Sequence, residues 1–193
     1  YDAVVSGTKY LIEQRIAHPG KIGLQGHSWS GFQTSFLVTK TDLFACANIG
    51  APITDMVTGY LGIRNGSGLP RYFMYEETQS RMGKTLWEAK DKYLANSAIV
   101  EADKIHTPLL IWHNDKDEAV PYEQGRALYL AMRRLQRPAW HLNYKGEGHF
   151  LGNQAAQKDW TIRMMQFFDY YLKGTKEPRW MKEVCLLYTS PSP

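Results

Sequence analysis

The chain has 193 residues, 44% hydrophobic and 22% charged, and its 23 Lys and Arg against 19 Asp and Glu leave a net charge of +4. This is the balance of a folded globular chain, and it excludes disordered, collagen-like and coiled-coil classes. No apolar run approaches the roughly 20 residues that span a bilayer, and the basic residues are dispersed, which speaks against a nucleic-acid partner.

Apolar residues at Val4, Val5, Tyr10, Leu11, Ile12 and Ile16 predict a helix over Tyr1–Ala17. Because the first residue is Tyr1 rather than Met and a helix is already under way, the chain is expected to start inside a fold. The compartment of the parent protein is therefore left open. Lys21–Gln25 reads as a strand, Gly26–Gly31 as a tight turn and Phe32–Lys40 as a helix. Phe44–Ile49 reads as a second strand with Cys46 buried in it. Two cysteines, Cys46 and Cys185, are too few for a disulfide framework or a four-cysteine zinc site.

Gly50–Gly83 shows no sustained period and is expected to be an irregular cap; helix returns near Leu86–Leu94, and Ser97 is expected to cap a short turn leading to Lys104. Thr107–Trp112 reads as a strand entered through Pro108, Pro121–Leu135 as a helix with proline in its first turn, and Ala139–Tyr144 as another strand. Arg133, Arg134 and Arg137 are expected on a solvated helix face. Gln154–Lys173 is predicted as an amphipathic helix carrying Trp160, Met164, Phe167, Phe168 and Tyr171, stopped by Gly174. Strands alternating with helices predict an α/β fold with a parallel sheet covered on both faces.

The last nine residues, Cys185–Pro193, follow neither a helix nor a strand pattern. They resemble an in-frame reading of the transposase adaptor used in sequencing libraries. Two regions are therefore expected: residues 1–184, a partial catalytic domain, and residues 185–193, an adaptor read-through tail that is not native.

Chemistry concentrates in three turns. Gly26-His27-Ser28-Trp29-Ser30-Gly31 lies between a strand and a helix and is close to the Gly-x-Ser-x-Gly nucleophile elbow, with Ser30 in place of the usual final glycine. There the hydroxyl of Ser28 is exposed at a helix N-terminus, and the N–H of Trp29 can help hold an oxyanion. The loop after the third strand carries His113, Asp115, Asp117 and Glu118, and the loop after the fourth carries Glu147 and His149. Serine, acid and histidine thus follow one another in α/β-hydrolase order, each past the C-terminal end of a parallel strand. Spacing leaves the acid open between Asp115 and Asp117. Glu118 is expected to act on the helix at Pro121. His113 with the two aspartates resembles a metal cluster, but no second histidine-rich segment supports one. His18, His27, His106 and His141 are expected to be structural or surface residues.

On these motifs the segment from Asp2 to about Lys182 resembles the catalytic domain of the prolyl oligopeptidase family of serine peptidases. The family's elbow corresponds to Gly26–Gly31, its Asp-x-x-Val loop to Asp117–Val120 and its histidine loop to Glu147–His149. The resemblance implies an α/β-hydrolase fold, of which this chain is the C-terminal half. It implies Ser28 as nucleophile, Asp117 as acid, His149 as base and the Trp29 N–H as oxyanion donor, with no cofactor and no metal. It also implies a substrate pocket at Trp29, Ile53, Met56 and Val120. Methionine at position 56 departs from the aromatic of proline-specific relatives, and Ala119 offers no polar side chain there.

The activity implied is hydrolysis of short peptides, of dipeptidyl-peptidase, acylaminoacyl-peptidase or oligopeptidase type. The alternatives are ester hydrolysis on the same fold and an inactive fragment of the parent enzyme. Relatives carry an N-terminal β-propeller and a front half of the sheet, including a tyrosine that supplies a second oxyanion donor. Both are expected in the parent chain, so this chain alone is expected to be weakly active, with an exposed strand edge. Homo-oligomerisation is left open.

Overall fold

The computed structural model describes residues 1–182 and the backbone of residues 187–189. Five parallel strands form the central sheet: β1 (Gly23–His27), β2 (Cys46–Gly50), β5 (Leu109–Trp112), β6 (Ala139–Tyr144) and β7 (Leu187–Thr189), in the order β1-β2-β5-β6-β7. Parallel neighbours need crossover connections. These are α2 (Trp29–Leu37) between β1 and β2, and α5 (Glu123–Arg134) between β5 and β6. Helix α1 (Asp2–Glu13) precedes the sheet, and α6 (Gln154–Phe168) follows β6.

Side chains of β5 alternate between two cores, as a strand with a two-residue period requires. Leu109 and Ile111 pack with Val38, Ile49, Leu128 and Met132 on the α2/α5 face. Leu110 and Trp112 pack with Leu142, Tyr144 and Phe167 on the α6 face. Every residue of β2 and β5 is buried, which explains the apolar run of β5 and the apolar residues that flank Asn48 in β2. Only half-buried or exposed residues occupy β1, the edge strand of the described sheet. On α1 only Val5 is buried, while Val4, Tyr10 and Leu11 of its apolar pattern are exposed.

Gly50–Gly83 is more ordered than its lack of period suggests. It contains α3 (Met56–Tyr60), a hairpin of β3 (Ile63–Arg64) and β4 (Leu69–Pro70), and a single π-helical turn at Met74–Thr78. With α4 (Lys90–Ala95), these elements enclose a third core of Ile53, Met56, Tyr60, Tyr75, Tyr93 and Val120. Each piece is too short for a helical or strand period to register. Asp55 starts α3 by accepting from the Val57 N–H at 2.9 Å. Ser97 does not cap the turn before Lys104; its hydroxyl accepts from the Met56 N–H at 2.9 Å and ties α4 to α3.

Asn153 caps α6, accepting from the N–H groups of Ala155 and Ala156. The helix runs into a π-helical turn at Asp169–Lys173 and stops at Gly174, whose φ is +67°. A short helix, α7 (Arg179–Lys182), then seals the α6 face through Trp180 and Met181. Within Cys185–Pro193 the backbone of Leu187–Thr189 pairs with β6 as β7, a strand that the sequence pattern does not announce. The rest of that tail lies outside the described residues.

Candidate active site

The elbow turns without a spacer. His27 ends β1, Ser28 is the single turning residue and Trp29 begins α2. Ser28 has φ 60° and ψ −120°, a left-handed conformation that a non-glycine residue adopts only under constraint from its surroundings. One such constraint is the bond from its N–H to the Gly50 carbonyl at 2.8 Å. A Cβ at Gly26 would lie 2.1 Å from the Ser30 carbonyl oxygen, and one at Gly31 would lie 2.4 Å from the Gly50 carbonyl oxygen, so neither position has room for a side chain. Ser30 is exposed, and its hydroxyl accepts from the His27 N–H at 2.9 Å and donates to the His27 carbonyl at 2.8 Å. That exposure is why serine fits where the usual motif has glycine. The Trp29 N–H is the first of α2, a position with no intrahelical acceptor.

Three loops at the C-terminal ends of β1, β5 and β6 converge. Ser28 Oγ lies 3.0 Å from His149 Nε2, and His149 Nδ1 lies 2.8 Å from Asp117 Oδ2. The other carboxylate oxygen, Oδ1, accepts from the N–H groups of Ala119 and Val120, both at 2.8 Å. Burial opposes ionisation of Asp117, but the hydrogen bonds from His113, His149 and Val120 outweigh it and hold the carboxyl well below the usual carboxylate range.

Asp115, the other candidate acid, does not reach His149; its Oδ1 accepts from the Gly146 N–H at 2.7 Å and braces the histidine loop. Glu118 does not cap α5. It is exposed, its side chain lies against Gly66 and Gly148, and the acid in the first turn of α5 is Glu123.

Sequence reasoning missed the second tier of this site. His113 is fully buried, and its Nε2 is 3.2 Å from both Asp117 Oδ2 and the Val120 carbonyl, which places its ring against the carboxylate. Asn114 joins two of the loops, donating to the Gly148 carbonyl at 2.8 Å and accepting from the Tyr144 N–H at 3.1 Å. His27 is part of the site wall: its ring stacks on Trp112 at 4.8 Å and lies 4.6 Å from the ring of His149. Burial, followed by the charges of its neighbours, lowers the His27 pKa to about 4. Among the other histidines, His106 is exposed and His141 is buried, as the sequence allows.

Trp29, Ile53, Met56 and Val120 meet in the third core. Ile53, Met56 and Val120 are buried there, with Trp29 packed against them. Beside Trp29 and Met56 opens a cavity of about 590 Å³ that also reaches Phe32 and Met82.

Residues 1–175 match the profile of the prolyl oligopeptidase family. The chain belongs to that family. The chain is 25% identical over 177 residues to the uncharacterized peptidase YuxL of Bacillus subtilis, covering 89% of this chain and 26% of that protein. It is also 25% identical over 182 residues to dipeptidyl aminopeptidase BIII of Pseudoxanthomonas mexicana, covering 92% of this chain and 26% of the relative. The chain therefore spans about a quarter of the length of these relatives.

Among solved structures, a puromycin-hydrolyzing peptidase of Mycobacterium tuberculosis superposes with a TM-score of 0.77 at 22% identity, covering 91% of this chain and 25% of that one. An acylaminoacyl peptidase in complex with a chloromethyl ketone superposes with a TM-score of 0.75 at 21% identity, covering 90% and 27%. At these identities the superpositions establish the α/β-hydrolase fold. Among the described residues no helix is long and apolar enough to cross a membrane.

Proposed function

We propose that the protein carrying this chain is a serine peptidase that hydrolyses short peptides through Ser28, His149 and Asp117. The observation that carries this reading is the unbroken hydrogen-bonded line from Asp117 Oδ2 through His149 to Ser28 Oγ, at 2.8 and 3.0 Å. An ionised carboxylate only accepts, so the His149 proton sits on Nδ1 and leaves the Nε2 lone pair facing the serine hydroxyl. That is the tautomer a general base needs.

In the first half-reaction Ser28 Oγ bonds to the scissile carbonyl carbon as its proton moves to His149 Nε2. Asp117 stabilises the imidazolium so formed, and the Trp29 N–H at the start of α2 faces the oxyanion. Collapse of the tetrahedral intermediate breaks the C–N bond, and the same proton passes from Nε2 to the leaving amine. Water then attacks the acyl-serine, giving one proton to His149. That proton returns to Ser28 Oγ as the carboxylic acid departs. The residues named complete this cycle without a cofactor.

The full β-propeller protein of the family is the form in which we expect this chemistry. The test is to express the full reading frame with and without Ser28→Ala and compare aminoacyl, dipeptidyl and N-acylated chromogenic amides with a simple ester. Serine-dependent amide cleavage supports the peptidase and shows its mode. Cleavage of esters alone makes it an ester hydrolase, and equal rates in both proteins remove Ser28 from the mechanism.

A further inference from the structure

Arg71 follows directly on the β3/β4 hairpin, and its N–H donates to the Gly62 carbonyl at 3.1 Å. The hairpin is pinned to the acid loop, because the Gly66 N–H donates to the Glu118 carbonyl, also at 3.1 Å. The guanidinium thereby comes to lie beside the residue that follows the Asp117–Glu118 turn, and its Nη1 donates to the Ala119 carbonyl. Arg71 is 1% exposed, its Nε has no hydrogen-bond partner, and no carboxylate among the described residues forms an ion pair with it.

A guanidinium keeps its charge in a protein interior, and a buried charge without a counter-ion is destabilising unless something supplies one. The two acids near Tyr75 are engaged elsewhere. Asp55 caps α3 and accepts from the Thr58 hydroxyl, and Glu76 accepts from the Tyr60 hydroxyl.

Tyr75 links Arg71 to the substrate side. Its hydroxyl lies beside the guanidinium, its ring packs 5.7 Å from that of Trp29, the residue after Ser28, and its carbonyl accepts from the Met82 N–H. Trp29 and Met82 are walls of the 590 Å³ cavity, which is also lined by Arg81 and Lys92 and by no acidic residue. The buried cation and the rim of the cavity therefore favour the same charge.

We infer that this pocket takes a carboxylate, and that the preferred residue on the acyl side of the scissile bond is acidic, with Arg71 as its specificity determinant. The inference rests on the serine-peptidase reading above. Arg81 and Lys92 raise the local concentration of such substrates through their field, an effect that salt screens.

The test measures kcat/KM of the full-length enzyme on p-nitroanilides that differ only in the acyl-side residue (Glu, Asp, Gln or Leu), in free and N-acylated forms, for wild type, Arg71→Met, and the double variant Arg81→Ala/Lys92→Ala. Fluorophosphonate labelling of Ser28 counts the folded sites in each preparation. A roughly 10- to 100-fold preference for Glu over Gln is expected, as for a site whose buried donors are left unpaired by the uncharged analogue. Arg71→Met collapses that ratio. The double variant lowers the Glu rate at low salt only.

Equal rates for Glu and Gln in the wild type overturn the inference. So does Arg71→Met lowering all substrates in parallel, which would make Arg71 a prop for the acid loop. An Arg71-dependent preference for peptides with a free over an amidated C-terminus would move the carboxylate to the leaving side and also overturns it. Failure of Ser28 labelling in the wild type would instead sink the underlying peptidase reading.

Discussion

His113 Nε2 stands 3.2 Å from Asp117 Oδ2, the same carboxylate oxygen that receives His149 Nδ1. One buried oxygen thus serves two imidazoles, and His113 holds it in place without facing the serine. We expect His113→Leu to lower kcat/KM by roughly 10- to 100-fold, the effect of losing one hydrogen bond to a charged group. His113→Gln, which keeps a donor, should recover part of the loss. The rate of fluorophosphonate labelling against pH reports the role. A mutant profile that is merely scaled down, with its acid limb unmoved, would mean that His113 only packs.

Ser28 is strained at φ 60° and ψ −120°, and only glycine takes up such a conformation at little steric expense. We expect Ser28→Gly to stabilise the fold by about 1–2 kcal/mol while abolishing labelling. Chemical denaturation checks this. Equal or lower stability of the glycine variant would mean that the elbow stores no strain.

Gly26→Ala and Gly31→Ala would drive a Cβ into backbone oxygens, at 2.1 and 2.4 Å. We expect each to cost about 3 kcal/mol or more, or to prevent folding, since backbone cannot step aside as a side chain can. Ser30→Gly loses only exposed hydrogen bonds to His27 and should cost about 1 kcal/mol. Soluble yield and denaturation midpoints of the three variants give the comparison.

His141 is buried between Tyr122 and Tyr129, with ring centroids 5.6 Å from each, and neither ring nitrogen has a hydrogen-bond partner. Burial lowers its pKa from 6.5 to about 3. The unfolded chain therefore binds a proton between those values and the folded one does not, so stability is complete above pH 6.5 and falls as pH drops toward 3. His27, lowered to about 4, adds to the loss between pH 6.5 and 4. Asp117 acts in the same direction at the acid end, below its ordinary value of 3.8. Denaturation midpoints between pH 7 and 4 should show a shallower slope for His141→Phe than for wild type. Parallel slopes would place the titration elsewhere.

The parts of this fold that were legible in the sequence are those governed by one repeating rule. Ala139–Tyr144 is the strand its sequence predicts, residue for residue, and α6 with its glycine stop follows the spacing of Trp160 through Tyr171. The elbow and the two loops that converge on it lie at strand ends, where a parallel sheet's pattern points. The first strand lies two residues further along than its sequence predicts: Gly26 reads as a breaker, whereas the missing Cβ lets pairing continue to His27 beside Gly50. What could not be read depends on long-range contact. His113, Asn114 and Arg71 have no local pattern, and their roles exist only once β3/β4 and the β6 loop are folded against β5. A histidine opening the loop that carries the acid, four positions before Asp117, is the signal that could have found the first of them.

The sheet order also has a consequence for timing. In the described chain taken by itself Ser28 follows β1, which pairs with β2 alone, whereas Asp117 follows β5, which pairs with both β2 and β6. Opening of the edge strand requires breaking one ladder, and opening of the interior strands requires breaking two. In this chain expressed by itself, amide protons at Gly23–His27 should therefore exchange ahead of those at Leu109–Trp112, through an excursion smaller than global unfolding. In such an excursion Ser28 leaves His149 while His149 and Asp117 still hold each other, so in this chain alone the hydrogen-bonded line would part ahead of denaturation.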